Sequence, residues 1–99
     1  MNSPSTPDWP FTDPKNVAVF TTTQVVQLGQ PILYVAHDED DGAWQFHTGG
    51  QQISEDDAMI VALHEIVEHD STVCELADLP WGWFAEREHV GGPWRRLRR

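Results

Sequence analysis

Pro31-Ile32-Leu33-Tyr34-Val35-Ala36-His37, then Asp38-Glu39-Asp40-Asp41-Gly42, then Ala43-Trp44-Gln45-Phe46-His47-Thr48 is the stretch that decides the fold. The first block is rich in aliphatic and aromatic residues, which suit a pleated, half-buried backbone. Its proline stands at the first position, where a missing ladder donor costs least. Asp41-Gly42 is a favoured hairpin corner, because glycine reaches positive φ without a Cβ clash. On the return strand Trp44 and Phe46 share one face, and Gln45 and His47 share the other. The stretch therefore reads as strand, acidic turn, strand.

Working outward, Val17-Ala18-Val19-Phe20-Thr21 reads as a strand. Residues 22–28 read either as a short helix capped by threonine and ended at Gly29 or as another strand. Ser54 followed by Glu55-Asp56-Asp57 suggests a cap or turn. Met59-Ile60-Val61-Ala62-Leu63 is apolar on every side and reads as a buried strand. Residues 64–69 then form a helical turn with Ile66 and Val67 inward. A single helix over 55–69 is the alternative that periodicity leaves open. Residues 72–77 suit a second short helix, stopped by Asp78-Leu79-Pro80. Trp81-Gly82-Trp83-Phe84-Ala85-Glu86-Arg87-Glu88 reads as the last strand, with aromatic residues on both faces, and Gly91-Gly92-Pro93 closes the fold. The sum is an α+β domain, a small mostly antiparallel sheet with one or two short helices. Residues 1–14, with Pro4, Pro7, Pro10 and Pro14, are expected to be a flexible Pro-rich segment that Trp9 and Phe11 can pin to the body. Residues 15–93 form the single domain, and residues 94–99 a basic tail, read as a fold-back or a flexible arm.

The 99 residues are enough for one modest core and leave no room for a separate cofactor domain. A hydrophobic content of 39% is slightly low, and five Trp and four Phe offset it. No run approaches the roughly 18 apolar residues of a membrane helix. Residues 1–14 lack the features of a signal peptide, so a cytoplasmic location is expected. Cys74 is the single cysteine, which rules out an internal disulfide. Its acidic neighbourhood does not favour a reactive thiolate.

Charge is unevenly laid out. The net value is −10, yet no Lys or Arg falls between Asn16 and Glu86, a span with thirteen carboxylates. A body with such a field does not suit nucleic acid, which needs Lys or Arg at its phosphates. It suits a basic protein partner, or simply serves solubility. The terminal Trp94-Arg95-Arg96-Leu97-Arg98-Arg99 is too short to make nucleic acid the leading partner.

The catalytic and metal motifs miss. His64-Glu65-Ile66-Val67-Glu68-His69 places Glu68 where a zincin needs its second histidine. At five residues' spacing the two imidazoles diverge by about 140° on a helix. His64 with Glu68, or Glu65 with His69, fits a surface pair one turn apart instead. Asp38-Glu39-Asp40-Asp41-Gly42 has its glycine one place too early for a calcium loop, and Gly49 stands where the bidentate glutamate belongs. Gly49-Gly50 and Gly91-Gly92 lack the Lys-Ser/Thr of a phosphate loop. No metal and no cofactor is expected. A metal protein or small hydrolase built on His37, His47, His64 or His69 with nearby carboxylates is the alternative function. A small domain rarely buries five Trp completely, and an exposed one makes a binding hot spot. The candidate binding residues are Asp38, Glu39, Asp40, Asp41, Trp44, Trp81 and Trp83.

Several pieces together resemble a bacterial family of domains of unknown function, number 2185, some of whose members are classed with the type-33 immunity proteins of toxin systems. They are Asp41-Gly42-Ala43-Trp44-Gln45-Phe46 with Gly49, the segment 63–66, Asp70, Leu79-Pro80-Trp81-Gly82, and Phe84-Ala85-Glu86-Arg87. Order and spacing match over residues 30–88. Ser71 replaces a usual proline, and Gly50-Gln51 replaces an acidic pair. The resemblance implies a compact α+β domain and a toxin-neutralising role, and it brings no catalytic residues.

Overall fold

The computed structural model describes residues 9–49 and 55–98. Among them, six strands form one sheet in the order β4-β1-β3-β2-β5-β6. The strands are β1 (Ala18–Thr22), β2 (Tyr34–His37), β3 (Trp44–His47), β4 (Ala58–Ala62), β5 (Trp83–Glu86) and β6 (Arg95–Arg98). Two short α-helices, α1 (Thr23–Val26) and α2 (Leu63–His69), and 3-10 turns at Glu55–Asp57 and Ser71–Leu76 complete the chain.

The central hairpin forms in the expected register, with Val35 opposite Phe46 and His37 opposite Trp44. The sheet, however, is mixed. The chain leaves β1 through α1 and places β2 two positions away, and the hairpin then folds β3 into the gap. β3 is antiparallel to β2 and therefore runs parallel to β1, with Phe20 beside Gln45. The other pairings, β1–β4, β2–β5 and β5–β6, are antiparallel. Hydrophobic alternation reports which face a residue takes, not which distant strand lies alongside.

One face of the sheet is the core. Val19, Val35, Trp44, Phe46 and Ala85 point to it and meet Val25, Leu63, Ile66, Val73 and Leu76 from the helical segments. Each large aliphatic or aromatic side chain buried there contributes about 1.5–3 kcal/mol. The N-terminal segment joins in. Phe11 is buried with its ring edge on Trp44, and the Trp9 indole donates to Asp13 O at 2.8 Å. Residues 9–14 are thus part of the packing rather than a free arm, while residues 1–8 lie outside the described residues. The other face carries one cross-sheet row, Ile60, Phe20, Gln45, Ala36, Phe84 and Leu97, fixed by the strand registers.

Three further expectations change. The 58–62 segment is a strand, but it lies at the sheet edge and Ile60 is 64% exposed. Its apolarity on every side does not come from burial on both faces. The Trp83–Glu86 strand is not the last one. The basic tail supplies β6, with Leu97 opposite Phe84 and Arg96 opposite Ala85. Three arginines hid that strand from the hydrophobic pattern, since an edge strand needs only one residue in contact.

Candidate binding surface at the acidic turn

The 38–41 turn is built by its own carboxylates. Asp38 N donates to Ala43 O at 2.8 Å and Gly42 N to Asp38 O at 3.0 Å. Asp41 Oδ1 accepts from Ala43 N at 3.0 Å, the backbone-mimicking bond that suits aspartate in turns. Asp38 Oδ2 accepts from Gln45 Nε2 at 2.7 Å. Gly42 has φ +72°, and a Cβ there would stand 2.7 Å from the Trp81 ring. Glycine is required twice at this position, once for the backbone and once for the tryptophan lying over it.

Trp81 is brought to the turn by a buried histidine. His37 donates Nδ1–H to Leu79 O at 2.7 Å, and its own carbonyl accepts from Gly82 N at 2.7 Å. The His37 ring stacks on Trp44 at 3.8 Å and meets Trp81 edge-on at 6.1 Å. These contacts hold residues 79–82 against the end of β2. Trp81 nonetheless stays 60% exposed.

Of the seven residues read from sequence, five gather here, Asp38, Glu39, Asp40, Asp41 and Trp81. Glu39, Asp40 and Asp41 are exposed, and Asp38 is half-buried. Trp83 begins β5 and packs its half-buried ring on the core. Trp44 is different. It is 1% exposed, donates its indole N–H to Asp13 Oδ1 at 3.2 Å and belongs to the core. It supports the surface from beneath and offers none of its ring to a partner. The ion pairs among the described residues are Arg87–Asp70, Arg95–Glu86, Arg96–Asp78 and His64–Glu68, none of which neutralises the turn.

The histidines do not converge. His37 and His47 point to opposite faces of the sheet. His47 stacks on Tyr34 at 4.8 Å. His64 donates to Glu68 at 3.1 Å, the turn-spaced pair expected from sequence, and His69 reaches Gln30 O. Among the described residues, no group of three His, Cys, Asp or Glu side chains is placed to hold a metal ion. No helix there is long and apolar enough to cross a membrane. Burial and the nearby Asp70 charge push the Cys74 thiol up, away from thiolate chemistry.

Sequence reasoning missed a buried clamp on Arg87. Its guanidinium donates to Ile32 O at 2.9 Å and 3.1 Å, to Thr72 Oγ1 at 2.9 Å and to Asp70 Oδ2 at 2.6 Å. Trp94 lies 4.1 Å over it. Burial alone would raise the Asp70 pKa. The Thr72 hydrogen bonds and the Arg87 contact outweigh that and hold the carboxyl below its ordinary value. Two signals were available: Arg87 is the only Lys or Arg between Lys15 and Arg95, and Asp70 and Arg87 both fall in the pieces that carry the family resemblance. An open groove of about 780 Å³ adjoins the clamp, with Tyr34, Glu86, Trp94 and Arg95 among its walls, at the opposite end of β2 from the acidic turn.

The chain matches no family model, no curated protein and no solved structure.

Proposed function

We propose that the chain is a non-enzymatic protein-binding module that presents its acidic turn and Trp81 to a basic protein partner. An immunity-like role, neutralising a toxin in a bacterial cytoplasm, is the form of this function that the family resemblance suggests. The observation that carries the reading is Trp81, 60% exposed and lying on Gly42 of a turn whose carboxylates have no cationic partner among the described residues. An aromatic anchor seated beside unneutralised charge supplies both parts of a protein-binding site. The tryptophan gives affinity on desolvation, and the carboxylates steer a positive partner and select against a negative one.

The test is capture from the native host at low salt with three baits: the intact chain, Trp81→Ala, and the double variant Asp40→Asn with Asp41→Asn. A basic protein retained by the intact chain is expected. Trp81→Ala should weaken it by about 2 kcal/mol or more, roughly thirtyfold. The double variant should act mainly on the association rate and flatten its salt dependence. Failure to recover any basic protein, or equal retention by all three baits, contradicts the reading.

A further inference from the structure

The two edges of the sheet differ in what they offer a neighbouring strand. β6 presents Arg95, Arg96 and Arg98. β4 is Ala-Met-Ile-Val-Ala, without charge or proline. Proteins usually blunt an open edge with such residues, because its unpaired N–H and C=O groups template further pairing. We infer that β4 is a self-association edge, and that its occupant is β4 of a second copy, paired antiparallel about Ile60.

Backbone parity fixes which groups are free to pair. Leu63 N donates to Val17 O at 2.9 Å, just beyond the Ala18–Ala62 pair. Antiparallel ladders alternate bonded and non-bonded pairs, so Val61 and Met59 also turn their N–H and C=O groups toward β1. Ala58, Ile60 and Ala62 then turn theirs outward. Ala62 N is already taken, since it donates to Glu65 Oε2 at 3.0 Å. Both groups of Ala58 and Ile60 and the Ala62 carbonyl remain on the outer edge, with no partner among the described residues.

A two-fold axis through Ile60 uses four of these five groups, and the Ala58 carbonyl, opposite the occupied Ala62 N, takes no part. Ile60 exchanges both bonds with Ile60 of the second copy, and Ala58 N donates to the Ala62 carbonyl of that copy. The side chains agree with that register. Ile60 meets Ile60, Met59 meets Val61 and Ala58 meets Ala62, so the facing β4 side chains are all apolar, with the Glu65 carboxylate at Ala62 N flanking each end. Phe20, 42% exposed, sits beside Ile60 on the same face and extends the apolar stripe in each copy. On the other face Val61 and the exposed Val26 border a hollow of about 290 Å³ that Glu65 and Glu68 also line.

Charge at the ends is mixed, and one pairing across them is complementary. Asp56 and Asp57 precede β4. At its far end His64 N donates to Lys15 O at 2.9 Å, which places the backbone of the chain's sole lysine at the same end as Glu65, with its ammonium 5.7 Å from the Trp9 ring centre. Antiparallel pairing brings the acidic start of one β4 toward Lys15 of the other. The β6 edge excludes the equivalent event, because two copies would set arginine against arginine.

Sedimentation equilibrium of the full chain tests this. The expected result is a reversible dimer that tightens between roughly 0.15 M and roughly 1 M salt, as screening relieves repulsion between two acidic bodies. That salt response is opposite in sign to the basic-partner interaction, so the two readings fail separately. Ile60→Lys should raise the dimer dissociation constant roughly tenfold or more with an unchanged far-UV spectrum. Ala58→Lys, at another exposed position, should do the same, and Leu97→Lys on the opposite edge strand should leave it unchanged. A monomer at the highest soluble concentration overturns the inference. So does a dimer that both lysine variants on β4 leave intact, or an open-ended assembly, since a two-fold contact closes on itself.

Discussion

β4 and β6 are edges of the same sheet, and they are held and finished in different ways. β6 is short, carries three arginines, and has Arg95 paired to Glu86 and Arg96 to Asp78. Its approach is anchored by Trp94 lying over the buried Arg87. β4 is apolar, lies along β1 through all five of its residues and continues directly into α2, where Leu63 and Ile66 are buried. The arginines therefore do not hold the fold together in the way the β4 ladder does. On the inference above, they close an edge that would otherwise pair. The difference teaches that a basic tail in an acidic chain can be an edge strand with local ion pairs of its own.

The largest expected effect comes from the clamp under the β6 edge. Arg87→Leu strands Asp70 in a largely buried site and should cost about 3–5 kcal/mol in chemical denaturation. Its signature should be faster amide exchange in β6 than in β4. Equal loosening of both edges would break the distinction drawn between them. Acid acts on the same pair. Asp70 has a depressed folded pKa, so its contribution is complete above the ordinary aspartate value of 3.8 and is lost as pH falls through the lower folded value. β6 amides should therefore lose protection before β4 amides at the acid end of a titration. Exchange that fails first in β4 would contradict this.

A smaller and more specific effect follows from removing the guard. A chain ending at Trp94 loses β6 and bares the outer edge of β5, Trp83–Glu86, which has no arginine. It should form species larger than a dimer on size-exclusion chromatography, because both edges of its sheet are then open. A truncated chain with the same association as the intact one would show that the arginines do not protect the edge.

Much of this was legible in the sequence, and the misses share a cause. The hairpin, its Gly42 corner and the opposite faces of Trp44 and Gln45 followed from alternation and turn chemistry, which are local. The β1–β3 parallel pairing, the edge position of β4 and the existence of β6 depend on which distant strands meet, and no short-range pattern carries that. The site divides in the same way. Asp38, Glu39, Asp40, Asp41 and Trp81 were found from composition and come together in space. Trp44 was assigned to the surface because one tryptophan looks like another in sequence, whereas its indole bond to Asp13 and its stack on His37 place it in the core. The Arg87 clamp joins residues 17 and 55 positions apart, so its members showed as an isolated arginine and separate resembling pieces, not as a contact.

The claim that one edge is closed and the other open is tested most directly by amide exchange at two protein concentrations. The account predicts that the Ala58 and Ile60 amides become more protected as concentration rises, while those of Arg95, Arg96, Leu97 and Arg98 do not change. Protection that is independent of concentration at Ala58 and Ile60, or that rises equally along β6, would contradict it.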